Sequence, residues 1–358
     1  MSPHAKANAL TKLPSPLTFL AYALDPTTVL IGPFLEFQQH TEFLYARGVW
    51  AERMRPHGLF VAARSAGTTV VLAAAHVFLS GHFSHTLYSH ARWAEFPLWY
   101  KCLCIYLIPL QARLKYYFSW SLTLTGLQLS GAAYEGAATG GWLRGQNVRP
   151  LGVELATSAV AFPANWNICT GNWLRNYVYD RAQPYGKKPG FYALLVTQTV
   201  SGVWHGLYAG YWLFFVHSAF MLQGSRFLFK LVSAAPKSLQ PALRLAHGLV
   251  SSLQLNYLAV AFLALEWGPT MNVWRSINFA GHFVMAAIIL SRWGGVLSAT
   301  ATSPLCVLCL VLPLGSSQSL SLRLWVAVWA QSGREASKAA NEEDELSGSD
   351  TMGVTYAA

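Results

Sequence analysis

Apolar segments about twenty residues long recur along this chain, and they constrain its fold more than any other feature. An α-helix of that length crosses the hydrocarbon core of a bilayer. Of the 358 residues, 53% are hydrophobic and only 11% are charged, whereas a soluble domain carries roughly 25% charged residues. The pattern predicts an all-α, polytopic transmembrane protein with about eight membrane-embedded segments.

The predicted segments share a high content of aliphatic and aromatic residues. They cover residues 17–35, 59–79, 96–110, 116–133, 151–162, 191–204, 207–222, 243–265 and 277–290. Asp25 and Pro26 interrupt the first segment, which we therefore predict to be broken or re-entrant. The composition changes beyond residue 298, and the acidic stretch from residue 331 onward predicts a disordered tail.

The net charge of +10 arises from Lys and Arg residues that form short clusters between the apolar segments. Such clusters are typical of cytosolic loops beside a membrane. A nucleic-acid-binding protein instead carries its positive charge along one face. We therefore expect membrane lipids as partners and no nucleic acid.

His205 is an ionisable residue in a long apolar and aromatic stretch, residues 201–215. An imidazole takes up or releases a proton near neutral pH, and an ionisable group at membrane depth points to a function. A structural alternative stays open, in which His205 only forms a hydrogen bond to a neighbouring helix.

A polar stretch, residues 165–181, precedes this histidine and contains several Asn, Trp, Tyr and Arg side chains. In the functional interpretation, one of its asparagines lies beside His205. A neutral imidazole accepts the proton of an attacking hydroxyl, while an amide only donates or accepts hydrogen bonds. Such a pair can join a hydroxyl to an acyl thioester without a metal. The alternative is an interfacial belt of aromatic and Arg side chains that contact lipid headgroups.

Motifs of several common enzyme classes are missing from the sequence. It has no Gly-x-Ser-x-Gly, no His-Glu-x-x-His and no P-loop, which argues against lipase, metalloprotease and ATPase chemistry. A small group formed by His82, His85 and His90 has no further ligands at metal-site spacing. We therefore predict no metal site.

Two motifs in these stretches resemble a known family. Residues 166–181 have the pattern Trp-Asn-Ile-x-x-x-x-Trp-Leu-Arg-x-Tyr-Val-Tyr-x-Arg, and residues 204–211 have Trp-His-Gly-x-x-x-Gly-Tyr. Both resemble the membrane-bound O-acyltransferase (MBOAT) family, in particular its lysophospholipid acyltransferase branch. The Lys-Lys-Pro-Gly-Phe run at 187–191 is similar to the plant and algal enzymes. The resemblance spans residues 13–297, predicted as one MBOAT-type acyltransferase domain, and leaves 298–358 as a divergent segment.

The resemblance implies roles for individual residues of both motifs. It assigns His205 as the catalytic base and Asn167 as its partner, with Asn172 as the alternative partner. We expect the other motif residues to line the substrate site, namely Trp166, Trp173, Arg175, Trp204 and Tyr211.

The resemblance also implies a reaction. Family members transfer a fatty acyl group from acyl-CoA to the free hydroxyl of a lysophospholipid, and we expect this remodelling to take place in the endoplasmic reticulum membrane. Acyl-CoA is a cosubstrate, so no cofactor is expected. The chain begins where family members have already crossed the membrane several times, and we therefore expect an N-terminally shortened protein.

Two rival interpretations remain from the sequence. One is another acyltransferase of the same family, with diacylglycerol, a sterol or a peptide as the acceptor. The other is a noncatalytic membrane protein, either a truncated lipid-binding scaffold or a transporter.

Overall fold

The computed structural model describes residues 7–33, 35–51, 57–183 and 190–293. Over these residues the regular structure is helical, with one isolated antiparallel bridge between Val148 and Trp166. The prediction of an all-α fold is confirmed there. Most of the Lys-Lys-Pro-Gly-Phe run and the predicted C-terminal segment 298–358 lie outside the described residues.

The helices of the described residues are numbered in chain order. The α-helices are α1 (Pro16–Ala23), α2 (Phe37–Leu44), α3 (His57–Ser80), α4 (Leu98–Ser130), α5 (Pro150–Glu154), α6 (Ala161–Asn165), α7 (Ile168–Leu174), α8 (Phe191–His205), α9 (Ala209–Ala234), α10 (Gln240–Ala264), α11 (Trp267–Ser276) and α12 (Ala280–Trp293). Shorter turns of 3₁₀-helix cover Gly48–Ala51, His85–Ser89 and Ala91–Glu95, and a π-helical turn covers Arg175–Tyr179.

Several predicted segments match single helices. Segment 59–79 corresponds to α3, 191–204 to α8 and 243–265 to α10. The break in the first segment is confirmed, because α1 ends at Ala23, just before Asp25. Apolar runs therefore predict the long, uninterrupted helices well.

The prediction of two separate segments at 96–110 and 116–133 is wrong, because both belong to the single 33-residue helix α4. Arg113, between the two runs, is buried inside the bundle. Its Nε and Nη2 donate to the two carboxylate oxygens of Glu154 at 2.7 and 2.9 Å, and its Nη1 donates to Asn256 Oδ1 at 2.8 Å. A bidentate, charge-assisted pair compensates the buried charge, so the helix continues past Arg113.

Two described stretches are long and apolar enough to cross a bilayer, Gly58–Ser89 and Gln240–Ala264. The helices Trp267–Ser276 and Ala280–Ser291 are bent by 79° relative to each other and count as a third if they form one broken span. These criteria do not confirm the prediction of about eight membrane-embedded segments.

Two groups of packed helices position the candidate site. In one, α3 packs along α4; in the other, α9 packs against α8, α10 and α12. Helix α10 also contacts α4 and so joins the groups. A large apolar core lies along this junction, and its members Tyr117, Leu258 and Trp274 are each at most 1% exposed. The polar stretch 165–181 runs through α7 and the π-helical turn after it, and its residues Trp166 and Tyr179 pack against this core.

Candidate active site

His205 is the last residue of α8, and the glycine after it ends the helix. Gly206 has a φ of 131°, in the region of backbone space that favours glycine. Its N–H donates to the carbonyl of Gly202 at 3.1 Å, and the chain then turns into α9 at Ala209. The glycine of Trp-His-Gly is therefore the residue that allows the chain to turn directly after the histidine.

Aromatic rings surround the imidazole of His205. The ring centroids lie at 4.9 Å for Phe215, 5.1 Å for Trp204, 5.3 Å for Phe262 and 5.4 Å for Tyr211. We call these four residues the aromatic cage. The residue as a whole is exposed, and no hydrogen bond joins its ring to another described residue. Both ring nitrogens are thus available to a substrate.

Gly210 holds the aromatic cage together by allowing a close contact between two helices. Its N–H, at the start of α9, donates to the carbonyl of Leu265 at 2.6 Å, just beyond the end of α10. A Cβ at this position would lie 2.1 Å from the Ala261 carbonyl oxygen. The close approach brings Tyr211 of α9 and Phe262 of α10 to within 5.0 Å, centroid to centroid, beside His205. This contact explains the second glycine of the motif.

Asn167 lies immediately before α7 and has left-handed backbone angles, with φ 46° and ψ 52°. Asparagine adopts this conformation more readily than most residues. Three hydrogen bonds tie this turn to Asn147, which is 3% exposed. The Asn147 carbonyl accepts from Ile168 N–H at 2.9 Å, its Oδ1 accepts from Cys169 N–H at 2.9 Å, and its Nδ2 donates to Asn167 Oδ1 at 3.1 Å.

This network fixes which end of the Asn167 amide is free. A backbone N–H only donates, so the atom of Asn147 that faces Cys169 must be the acceptor Oδ1. The other end of Asn147 is therefore the donor Nδ2, which requires Oδ1 of Asn167 as its acceptor. The Nδ2 of Asn167 has no hydrogen-bond partner among the described residues. Asn167 thus presents a hydrogen-bond donor, which suits an oxygen that gains negative charge.

Trp166 lies in a second group of aromatic rings, contributed by α4. Its ring centroid is 5.0 Å from Trp120, 5.5 Å from Tyr116 and 5.6 Å from Tyr117. The structure therefore places Trp166 and Asn167 on the α4 side, and His205, Trp204 and Tyr211 on the α9 side.

The remaining predicted site residues lie away from the cage. Trp173 is 41% exposed and packs on Tyr177, with ring centroids 5.6 Å apart. Arg175 is exposed in the π-helical turn that contacts α8. Neither residue makes a ring contact or hydrogen bond to His205, and no hydrogen bond joins Asn167 to His205, within the described part of the chain. The assignment of these residues to a substrate site stays a prediction.

Cys169 is a nucleophilic side chain next to this site, and its protonation state matters for the chemistry. Burial raises the pKa of the Cys169 thiol to about 11. The thiolate is the reactive form of cysteine, so Cys169 stays protonated at neutral pH and does not compete as a nucleophile. Among the described residues, no group of three or more His, Cys, Asp or Glu side chains is arranged to hold a metal ion.

Several residues of the site were missed by the sequence analysis. Asn147 carried no motif of its own and lies 20 positions before Asn167. Phe262 comes from α10, far along the chain from His205. In the sequence, nothing distinguished Tyr116 from the other aromatic residues of an apolar helix. Two glycines of the motif could have indicated part of the site from the sequence. Gly206 marks where the backbone turns, and Gly210 marks where two helices touch.

Comparisons with known proteins agree with these motifs. A profile of the membrane-bound O-acyltransferase family matches residues 1–246. The chain is similar to "Lysophospholipid acyltransferase 2" of Arabidopsis thaliana, with 36% identity over 80% of this chain and 64% of the relative. "Lysophospholipid acyltransferase 1" of the same plant is also 36% identical over the same shares. "Lysophospholipid acyltransferase" of Schizosaccharomyces pombe is 28% identical over 80% of this chain and 60% of the relative.

The chain thus spans 60 to 64% of the length of these three curated relatives. The family profile covers more than half of the chain and includes both Asn167 and His205. This chain therefore belongs to the membrane-bound O-acyltransferase family of membrane proteins.

Proposed function

We propose that this chain transfers a fatty acyl group from acyl-CoA to the free hydroxyl of a lysophospholipid. The observation that carries the proposal is the complementary chemistry of two motif residues. His205 presents free ring nitrogens within the aromatic cage, and Asn167 presents a free amide donor fixed by Asn147. Relatives named as lysophospholipid acyltransferases give the reaction class that fits this pair.

In the proposed reaction, His205 acts as the general base. A ring nitrogen accepts the proton of the lysophospholipid hydroxyl while that oxygen attacks the thioester carbonyl carbon. The carbon–sulfur bond then breaks, and the CoA thiolate receives the proton back from the imidazolium. Proton and electron pairs balance without a metal or a cofactor.

Asn167 stabilises the negative oxygen that forms on the thioester carbonyl. An amide cannot abstract a proton, so its Nδ2 donates to this oxygen instead. The hydrogen bonds of Asn147 orient the Asn167 amide before substrate binds. This orientation reduces the free energy of reorganisation during the reaction. Hydrogen bonds between catalytic groups often form only with substrate present, and the proposed pair acts through the substrate that lies between them.

The test is acyl transfer in membranes that lack endogenous lysophospholipid acyltransferase, with labelled acyl-CoA and lysophosphatidylcholine. We expect transfer by the wild-type chain, a loss of about 10²- to 10⁴-fold for His205→Ala and a loss of about 10²- to 10³-fold for Asn167→Ala. His82→Ala and Asn272→Ala are the matched controls, since both residues are exposed and neither belongs to the two motifs. Equal activity of the wild type and His205→Ala would remove the base assignment.

The same proposal includes the finer features of the family. It places about eight membrane-embedded segments in the endoplasmic reticulum membrane, with acyl-CoA as cosubstrate and without a resident cofactor. Trp166, Trp173, Arg175, Trp204 and Tyr211 contact the substrates in this proposal. Fluorescence microscopy of the tagged chain against an endoplasmic reticulum marker tests the location.

An acceptor panel separates the proposal from its rivals. Lysophospholipids, diacylglycerol, a sterol and a serine-containing peptide are offered with the same labelled acyl-CoA. We expect transfer to lysophospholipids to exceed the other acceptors. Preferential transfer to another acceptor would favour a different branch of the family. Binding of lipid with no transfer to any acceptor would favour the noncatalytic scaffold.

A further inference from the structure

A cavity of about 350 Å³ lies between α3, α4 and the loop before α5. Its volume is within the range of small-molecule sites, about 300 to 1,000 Å³. The lining combines apolar and aromatic side chains, such as Leu72 and Leu124, with a nearly equal number of polar residues. The polar members are Arg64, Ser65, Thr68, Ser121, Gln128, Gln146 and Asn147. A purely structural gap between membrane helices needs few such groups.

Gln128 fixes one wall of this cavity. The residue is 2% exposed, and its Nε2 donates to the Trp142 carbonyl at 3.0 Å. Its Oε1 is buried and has no partner among the described residues. The Gln128–Trp142 hydrogen bond ties α4 to the loop before α5 and holds this wall of the cavity in place.

Arg64 gives the cavity its charge. It is exposed on α3, and the described residues that line the cavity include no carboxylate. Arg64 lies about 10 Å along the helix axis from the start of α3, near one end of a stretch that can span a membrane. Phosphate groups of membrane lipids lie near the ends of membrane-spanning helices, and an Arg guanidinium pairs well with phosphate.

The cavity also adjoins the candidate active site. Asn147 lines the cavity and donates the hydrogen bond that orients Asn167. Tyr117 and Trp120 line it as well, and both contact the ring of Trp166. A ligand in the cavity is therefore one residue away from the proposed oxyanion donor.

We propose that this cavity binds the glycerophosphate part of the lysophospholipid acceptor, with Arg64 on the phosphate. This assignment rests on the proposed acyl transfer, because it names the subsite for that reaction's acceptor. The assignment requires the phosphate of the acceptor at Arg64. Binding of the CoA phosphates there would contradict it.

The test measures equilibrium binding by calorimetry to the full chain in maltoside micelles, without added phospholipid. Lysophosphatidylcholine is compared with a monoacylglycerol of the same acyl chain, which lacks phosphate. We expect lysophosphatidylcholine to bind the wild type about tenfold more tightly, the effect of one charge-assisted contact. Arg64→Gln removes this difference, and Arg64→Lys keeps part of it.

Arg244→Gln is the matched control. Arg244 is also exposed near the start of a helix that can span a membrane, α10, and its Nη2 donates only locally, to Gln240 at 3.2 Å. We expect this variant to keep the tenfold preference.

Equal preference in Arg64→Gln and Arg244→Gln would overturn the assignment. CoA is titrated separately, and a loss of CoA affinity in Arg64→Gln with unchanged lysophosphatidylcholine binding would also overturn the assignment. The binding measurements contain no acyl-CoA, so their results do not depend on catalysis. Phosphate-dependent binding without acyl transfer would refute the proposed function alone, whereas acyl transfer with unchanged preference in Arg64→Gln would refute this assignment alone.

Discussion

The two halves of the candidate site are built in different ways. His205 contacts the four rings of the aromatic cage, without a hydrogen bond to another described residue. Asn167 is held by its neighbour Asn147, which also bonds the backbone of Ile168 and Cys169. Apolar contacts are non-directional, whereas hydrogen bonds fix both position and orientation. The first half therefore depends on helix packing and the second on an amide network.

This difference matches the chemistry proposed for each residue. A base must leave its ring nitrogens open, because they exchange a proton with the substrate. A donor to a developing negative charge works best when its orientation is already fixed. Variants that disturb packing should therefore damage the His205 half, while variants that reverse an amide should damage the Asn167 half.

Among variants of residues that support the two catalytic side chains, Gly210→Ala should produce the largest effect, because it disturbs the packing of the His205 half. The new Cβ would lie 2.1 Å from the Ala261 carbonyl oxygen and 2.7 Å from that of Leu265. The start of α9 must then move away from α10, which displaces Tyr211 and Phe262 from His205. A displacement of about 1 Å can cost 10²-fold in rate, and we expect a loss of about that size in acyl transfer per folded molecule.

Gly202→Ala is the control for this change. It lies in α8, and a Cβ there would meet Phe215 at an ordinary 3.5 Å. We expect near wild-type transfer, with the amount of folded protein measured by size-exclusion chromatography in detergent. Similar activities of the two variants would contradict the dependence of the cage on the α9–α10 contact.

The sequence predicted these two halves unequally. Apolar runs predicted α3, α8 and α10, because a membrane-length helix leaves a local signature. The same method split α4 at Arg113, because the compensating Glu154 is 41 positions away and only the fold brings it near. Motif resemblance singled out His205 and Asn167. It did not reveal Asn147, Phe262 or the cavity, since these depend on contacts between distant parts of the chain.

Asn147→Asp should have the second-largest effect, because it tests the orientation of the Asn167 amide. The carboxylate still accepts from Cys169 N–H, but its second oxygen cannot donate to Asn167. The amide of Asn167 must turn round to donate toward Asp, and it then presents Oδ1 to the substrate. We expect kcat to fall about tenfold or more with little change in KM, as for an interaction made only in the transition state.

The pH dependence of activity provides a second measurement on Asn147→Asp, because the new carboxyl group can be protonated. A protonated carboxyl at position 147 can donate to Asn167 again. The activity of Asn147→Asp relative to wild type at the same pH should therefore rise as the pH is lowered. A constant ratio, together with wild-type kcat at neutral pH, would show that the amide network does not orient a catalytic donor. Asn272→Asp is the matched control at an exposed site outside both motifs.

Tyr211→Phe should have the smallest effect, and it tests whether the cage acts through ring surfaces. Tyr211 contacts His205 at 5.4 Å and Phe262 at 5.0 Å, measured between ring centroids. The phenylalanine keeps both contacts and loses only the hydroxyl, so we expect acyl transfer within about threefold of wild type. Tyr211→Ala removes the ring and should cost about tenfold or more, through lost aromatic contacts and a cavity beside the imidazole. If Tyr211→Phe were as inactive as Tyr211→Ala, the hydroxyl would be the working group, and the His205 half would depend on hydrogen bonding like the Asn167 half.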